Sequence, residues 1–191
     1  NKALTIKPDY ADTYYNMGLA LNKQGKLDEA VEAYTKALSI KPDYADAYYN
    51  MGNALKGITF EQPNPSLQKT IFSLLDKKSY ARPKNIAPAA ISLLKFEPEL
   101  LRHLQSPSFA EAEPKILKVI ADLSKLPLLP KLMSVCPLAD IALEQLFRSI
   151  RASLLLSISD LTGSPEVLNF QSALALQCFT NEYIYNQTQR E

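Results

Sequence analysis

Residues able to do chemistry are few in this chain, and they are scattered. His103 is the only histidine among 191 residues. It stands beside Arg102 with no serine, cysteine or carboxylate at the spacing of a nucleophile and its base or of a metal ligand set, so a surface role is expected. Cys136 and Cys178 lie in apolar helical surroundings. They read as two buried free thiols in a reducing compartment rather than as a disulfide. Two separated cysteines and one histidine do not make a zinc site. Lys77, Lys78, Arg82 and Lys84 could meet a phosphate, but such a run reads as a solvated helix end. Asn186-Gln187-Thr188 has the form of a glycosylation acceptor, yet no secretory signal opens the chain, so the match is a coincidence of sequence. No catalytic residue, metal ligand or cofactor-binding residue is expected here.

The bulk properties exclude several further classes. With 47% hydrophobic and 21% charged residues, the chain can bury the core of one or two small domains. Its net charge of +1 is evenly spread, with seven basic and seven acidic residues up to Gly57 and fourteen and thirteen after it. No basic field exists to attract nucleic acid or anionic lipid. The apolar runs fall short of the roughly 18 residues that suggest a membrane span. A cytoplasmic protein is expected.

The elements that would position any site begin with a repeat. From Lys2 to Leu21 nearly every residue recurs about 34 positions later, and Ile6 to Asp12 return unbroken as Ile40 to Asp46. Tyr14, Met17, Gly18 and Leu21 share one helical face and recur as Tyr48, Met51, Gly52 and Leu55. Gly18 has no side chain, so a second helix can lie close against it. That partner is Leu27 to Ile40, where Ala30 and Ala37 are small and Tyr34 supplies bulk between them. Gly25 ends the first helix, Asp28 and Glu29 favour the positive start of the second, and Pro42 stops it.

Tyr14, Met17, Gly18, Leu21, Ala30, Tyr34, Ala37 and Pro42 resemble the signature of the tetratricopeptide repeat (TPR) family. The resemblance covers about 57 residues: the tail of one repeat (Asn1 to Tyr10), one complete repeat (Ala11 to Tyr44) and the first helix of another (Ala45 to Lys56). In that family the first helices line a concave groove. The resemblance maps the groove wall onto Asp12, Tyr15, Asn16 and Leu19 in one unit and Asp46, Tyr49, Asn50 and Asn53 in the next. Asn16 and Asn50 are similar to the asparagine ladder of some members, in which each amide gives and accepts one hydrogen bond and so matches a peptide unit without reading its side chain. Tyr15 and Tyr49 stand where other members place a carboxylate-clamping lysine. The implied partner is a protein or an extended peptide, held along its backbone rather than by a terminal carboxylate.

The pattern dissolves at Gly57. Pro63 and Pro65 bar a second helix in register, and Asn64-Pro65 instead opens a helix with Leu67, Ile71, Leu74 and Leu75 on one face. Short helices follow around Ile86 to Leu94, Pro98 to Gln105 and Pro114 to about Lys125, while KLPLLPKLMSVCP is expected to be a packed connector or a single-turn helix. From Leu138 a helix carries Ala142, Leu143, Leu146, Phe147, Ile150, Leu154 and Ile158 inward, with Glu144, Arg148 and Arg151 on its wet face. The last helix opens at Ser164-Pro165 and has no charge between Glu166 and Glu182, so it is expected to be buried on most sides or to meet something beyond the chain, including a second copy. The whole reads as all-α: a TPR fragment over 1–57, then an α-helical domain of five to seven helices over 58–191.

The later segment has a second resemblance. FSLLDKKSYARPKNIAPAAISLLK, the pair Cys136-Pro137 and FQSALALQCFTNEYIYN are similar to the helical region between TPRs and a class I S-adenosylmethionine-dependent methyltransferase domain in large bacterial proteins. No catalytic residue is carried by that likeness, and the Gly-rich turn of the methyltransferase part has no counterpart here. The resemblance implies the non-catalytic front of such an enzyme, part of a longer polypeptide, which presents a protein partner to the catalytic domain. The other class of function is a freestanding TPR scaffold or adaptor whose helical domain caps the array.

Overall fold

The computed structural model describes residues 8–77, 80–105, 113–156 and 165–188. Every regular element among them is an α-helix, ten in all, in keeping with apolar spacings of three and four and none of two. The chain forms two compact units, Asn1–Ser92 and Leu93–Glu191.

The first unit opens with α1 (Pro8–Lys23) and α2 (Leu27–Ile40), which pack along each other. Gly25 joins them at φ 75°, in the left-handed region where a side chain would be strained. The Lys26 amide then reaches back to the Leu21 carbonyl at 3.0 Å, closing α1 with the bond pattern of a glycine C-cap. Ala30, Tyr34 and Ala37 are fully buried on α2. The Tyr34 ring lies so close over Gly18 that a Cβ there would stand 2.5 Å from its Cε1.

Helix α3 (Ala45–Ala54) packs on α2 and also touches α1. The two repeat copies are not equivalent. Met51 is fully buried, whereas Met17, one period earlier, is 51% exposed and Tyr14 is half-buried. The packing role expected of Met17 is thus unmet. The shared run Pro-Asp-Tyr-Ala-Asp differs too. Pro8 begins α1, whereas Pro42 and Asp43 sit in a turn closed by the Tyr44 amide on the Lys41 carbonyl at 3.1 Å. Proline is tolerated at a helix's first position and stops a helix arriving from before it, so one sequence serves both ends.

After Gly57, α4 (Pro65–Asp76) is capped by the Asn64 side chain, which accepts from the Leu67 amide at 2.9 Å. Its buried residues are the expected Leu67, Ile71, Leu74 and Leu75, and it packs on α2. The segment leading to α5 (Pro83–Leu94) fills the second glycine site. A Cβ on Gly52 would meet Ala81 Cβ at 2.6 Å, and Tyr80 stacks on Tyr48 with ring centres 5.9 Å apart. Ala81 therefore stands over Gly52 where Tyr34 stands over Gly18. The repeat pattern ends at Gly57, but the compact unit runs on to Ser92.

The second unit holds α6 (Pro98–Gln105), α7 (Glu113–Ser124), α8 (Leu128–Val135), α9 (Ile141–Leu156) and α10 (Pro165–Thr188). Helix α8 is longer than the single turn expected, because Pro127 caps it and Pro130 falls in its first turn, where a missing N–H costs no helical bond. Helix α9 starts at Ile141 rather than Leu138, with Asp140 Oδ1 accepting from the Leu143 amide at 3.1 Å. Glu144 is not on a wet face: it is buried, with its Oε1 3.5 Å from Arg148. Ile158 lies outside the described residues. Helix α10 buries one face, Phe170, Ala173, Leu174 and Gln177, while Leu168 and Leu176 are about half exposed. It packs on α7 and α8. Gln177 explains why so uncharged a helix still carries a buried amide: its Nε2 donates to the Met133 and Cys136 carbonyls at 2.6 and 2.7 Å, and its Oε1 accepts from the Leu138 amide at 3.1 Å.

Candidate peptide-binding face

Helices α1 and α3 supply the side chains that the repeat places on one wall. Asp12 and Asn16 are exposed on α1, and Tyr15 and Leu19 are half-buried there; on α3, Asp46, Tyr49 and Asn53 are exposed and Asn50 is half-buried. A cluster of rings and hydrogen bonds ties part of this set together. Asn50 Nδ2 donates to the Tyr15 hydroxyl at 3.1 Å and to the Asp46 carbonyl at 2.9 Å. The Tyr15 ring lies 4.9 Å from that of Tyr44 and 6.1 Å from that of Tyr34. Burial pushes the Tyr44 hydroxyl up to about 12, helped by its hydrogen bond to Asp12 and by the charges of Asp12 and Asp46. Lys41 Nζ sits 4.4 Å over the Tyr44 ring.

Two features depart from the sequence expectation. Tyr15 and Tyr49 occupy matching positions, yet Tyr15 is locked among rings and Tyr49 is 55% exposed. Asn50 does not offer a free amide, since both its N–H groups face acceptors within the protein. Tyr44, absent from the expected wall, belongs to the cluster, and the recurrence of Tyr10 as Tyr44 one repeat later was the available signal. The bond from Tyr15 to Asn50 crosses 35 residues, one position off the repeat period, and so matches no within-repeat pattern.

The other candidates resolve differently. His103 is not a surface residue: its side chain is 10% exposed and Nε2 lies 3.3 Å from Asp122 Oδ2. The acidic partner is 19 positions away on α7, so no local spacing revealed it. Burial pushes the Asp122 carboxyl up, but hydrogen bonds and charge from Lys125 and His103 outweigh it and hold the group below its ordinary range. Arg102 adds a longer contact at 3.8 Å. This is an ion cluster joining α6 to α7. Of the basic run, Lys77 lies 4.9 Å over the Tyr48 ring, Arg82 and Lys84 are exposed, and Lys78 lies outside the described residues. Cys136 is buried and free, its Sγ 3.6 Å from the Leu132 carbonyl; the Cys178 side chain lies outside the described set. Among the described residues no group of three or more His, Cys, Asp or Glu could hold a metal ion, and no helix is long and apolar enough to cross a membrane.

Comparison with known proteins bears on the first wall. Residues 1–25 and 18–57 match the family model described as TPR repeat. No curated protein and no solved structure matches the chain. The helix pair α1 and α2, the glycine under Tyr34 and the onset of a second pair at α3 agree with that match, so the segment ending at Gly57 is similar to tetratricopeptide repeat units.

Proposed function

We propose that this chain is a protein-interaction module that holds an extended peptide or protein segment along the wall of α1 and α3. The carrying observation is the conjunction of the TPR match with a row of amide, hydroxyl and carboxylate groups from Asn16, Asn50, Tyr15 and Asp12 across adjacent helices. Such groups exchange hydrogen bonds with a backbone at little cost in sequence selectivity. Replacing Asn16 and Asn50 together by Ala should weaken binding of a peptide selected on this chain by roughly 10- to 100-fold while leaving the helical circular dichroism unchanged. Unchanged affinity would return both asparagines to the ordinary surface.

The link to a methyltransferase is a further part of this reading, supported by the sequence likeness of 72–95 and 170–186 to the helical region of TPR-containing methyltransferases. In that reading the chain works in the cytoplasm and brings a protein partner to a catalytic domain in the same polypeptide. The parent reading frame tests it, since a strand ending in a Gly-rich turn is required downstream. The exposed Leu168 and Leu176 on α10 support self-association through that helix. A single monomeric species in sedimentation over a wide concentration range would remove that proposal.

A further inference from the structure

We propose that Tyr15 and Asn50 form one donor–acceptor unit, in which Tyr15 positions the Asn50 amide and itself donates to the ligand, so that the ligand residue facing Asn50 must carry a backbone N–H. This rests on the wall of α1 and α3 being the peptide seat. A carbonyl can only accept, so the contact of Asn50 with the Asp46 carbonyl at 2.9 Å forces the amide nitrogen to that side. The remaining N–H points at the Tyr15 hydroxyl at 3.1 Å. Both donors of Asn50 are then spent within the protein, and Oδ1, a pure acceptor, is what it offers outward.

Tyr15 supplies the missing donor. Its oxygen accepts from Asn50, which leaves its own proton to be given to a carbonyl. The ring cannot readily swing away, since it is tilted against Tyr44 at 4.9 Å and Tyr34 at 6.1 Å. A peptide group laid across the pair meets Tyr15 with its C=O and Asn50 Oδ1 with a neighbouring N–H. Proline or an N-methylated residue at that register has nothing to give to Oδ1, and a buried acceptor left unmatched weakens binding. Asn16 stands exposed on α1 and nothing described ties it, so its donor and acceptor both stay available and it imposes no such exclusion. The two asparagines of the repeat are therefore inequivalent readers: one tolerant, one that demands an N–H.

The test uses the 191-residue chain and an extended peptide selected on it from a random displayed library. N-methylation at each backbone position in turn should reveal one position where affinity falls about 10-fold, and that loss should shrink to less than about 2-fold in Asn50→Ala. Tyr15→Phe should lower affinity about 2- to 10-fold with an unchanged melting temperature, and its effect should be smaller in the Asn50→Ala background, where only its own bond to the ligand remains to be lost; a merely structural role would not produce that coupling. Independent of any ligand, the two Nδ2 protons of Asn50 should give dispersed NMR signals that collapse towards those of Asn16 in Tyr15→Phe. A flat N-methyl scan, an additive Tyr15→Phe, or Asn50 signals indifferent to Tyr15 overturns the unit while leaving the groove intact. Indifference of binding to Asn16→Ala and Asn50→Ala together overturns the groove itself.

Discussion

Gly18→Ala pits two opposed effects against each other at the contact that fixes the wall. In an open helix the change should stabilise by about 1 kcal/mol, since alanine loses less backbone freedom than glycine. Here the new Cβ would stand 2.5, 2.7 and 2.9 Å from Cε1, Cδ1 and Cζ of Tyr34. Carbon atoms rest at roughly 3.5 to 4 Å, so the ring must retreat by about 1 Å. Tyr34 is fully buried, so retreat means a poor rotamer or a shift of α2 against α1, at a cost of about 1 to 3 kcal/mol. The expected net result is a loss of about 1 kcal/mol, read as a lower urea midpoint at unchanged slope. Tyr34→Leu removes the ring atoms that collide, so Gly18→Ala should cost less in that background, with a coupling of about 1 kcal/mol or more. A gain of about 1 kcal/mol for Gly18→Ala alone would show that helix propensity rules the site and that the ring is not pinned.

Further outcomes follow from the second unit. Gln177→Met keeps the side chain's length but strips three backbone groups of their partner; at about 1 kcal/mol or more for each, stability should fall by roughly 3 to 5 kcal/mol in a denaturant titration, and a loss under 1 would refute the bridging role. Burial pushes the Cys136 thiol up to about 11, so in Cys178→Ser its alkylation at pH 8 should run on the order of 100-fold slower than in the urea-unfolded chain, and equal rates would contradict its burial. The Asp122 carboxyl is held below its ordinary range, so its contribution is present above the unfolded carboxylate value and is lost as the pH falls through the folded one. The stability difference between the wild type and Asp122→Asn should therefore shrink below about pH 4, and a difference that stays flat down to pH 2 would exclude the ion cluster as its source.

What could be read from the chain alone was whatever is set within a few residues. Asn64 and Pro65 announce the start of α4 because a cap and its helix are adjacent, and Gly25 announces the end of α1 for the same reason. Gly18 was legible at longer range only because the repeat named its partner, Tyr34. In the second unit no repeat does so. Glu144 looks like a wet-face residue by helical spacing, and its burial depends on which helices surround α9. His103 seemed isolated because Asp122 approaches it from another helix. Gln177 was one polar residue among many in an uncharged helix, and only the arrival of the α8 end and of Leu138 gives it three backbone partners.

The wall of α1 and α3 shows why a repeated sequence need not repeat its chemistry. From Pro8 to Leu21 and from Pro42 to Leu55 the two copies differ only at Thr13 against Ala47 and Leu19 against Asn53. Neither substitution accounts for the inequivalence of Met17 and Met51, of Tyr15 and Tyr49, or of Asn16 and Asn50. The neighbours account for it. Both α1 and α3 pack on α2, but α3 also has Ala81 over Gly52 and Tyr80 on Tyr48, and it has α1 within reach, so Asn50 finds the Tyr15 hydroxyl. The amide's outward chemistry is thus assigned by the unit before it and not by its own. A residue that is a two-way hydrogen-bonding group in one copy becomes an acceptor in the next, and a stack of near-identical units can in this way present a graded series of demands to a single extended partner.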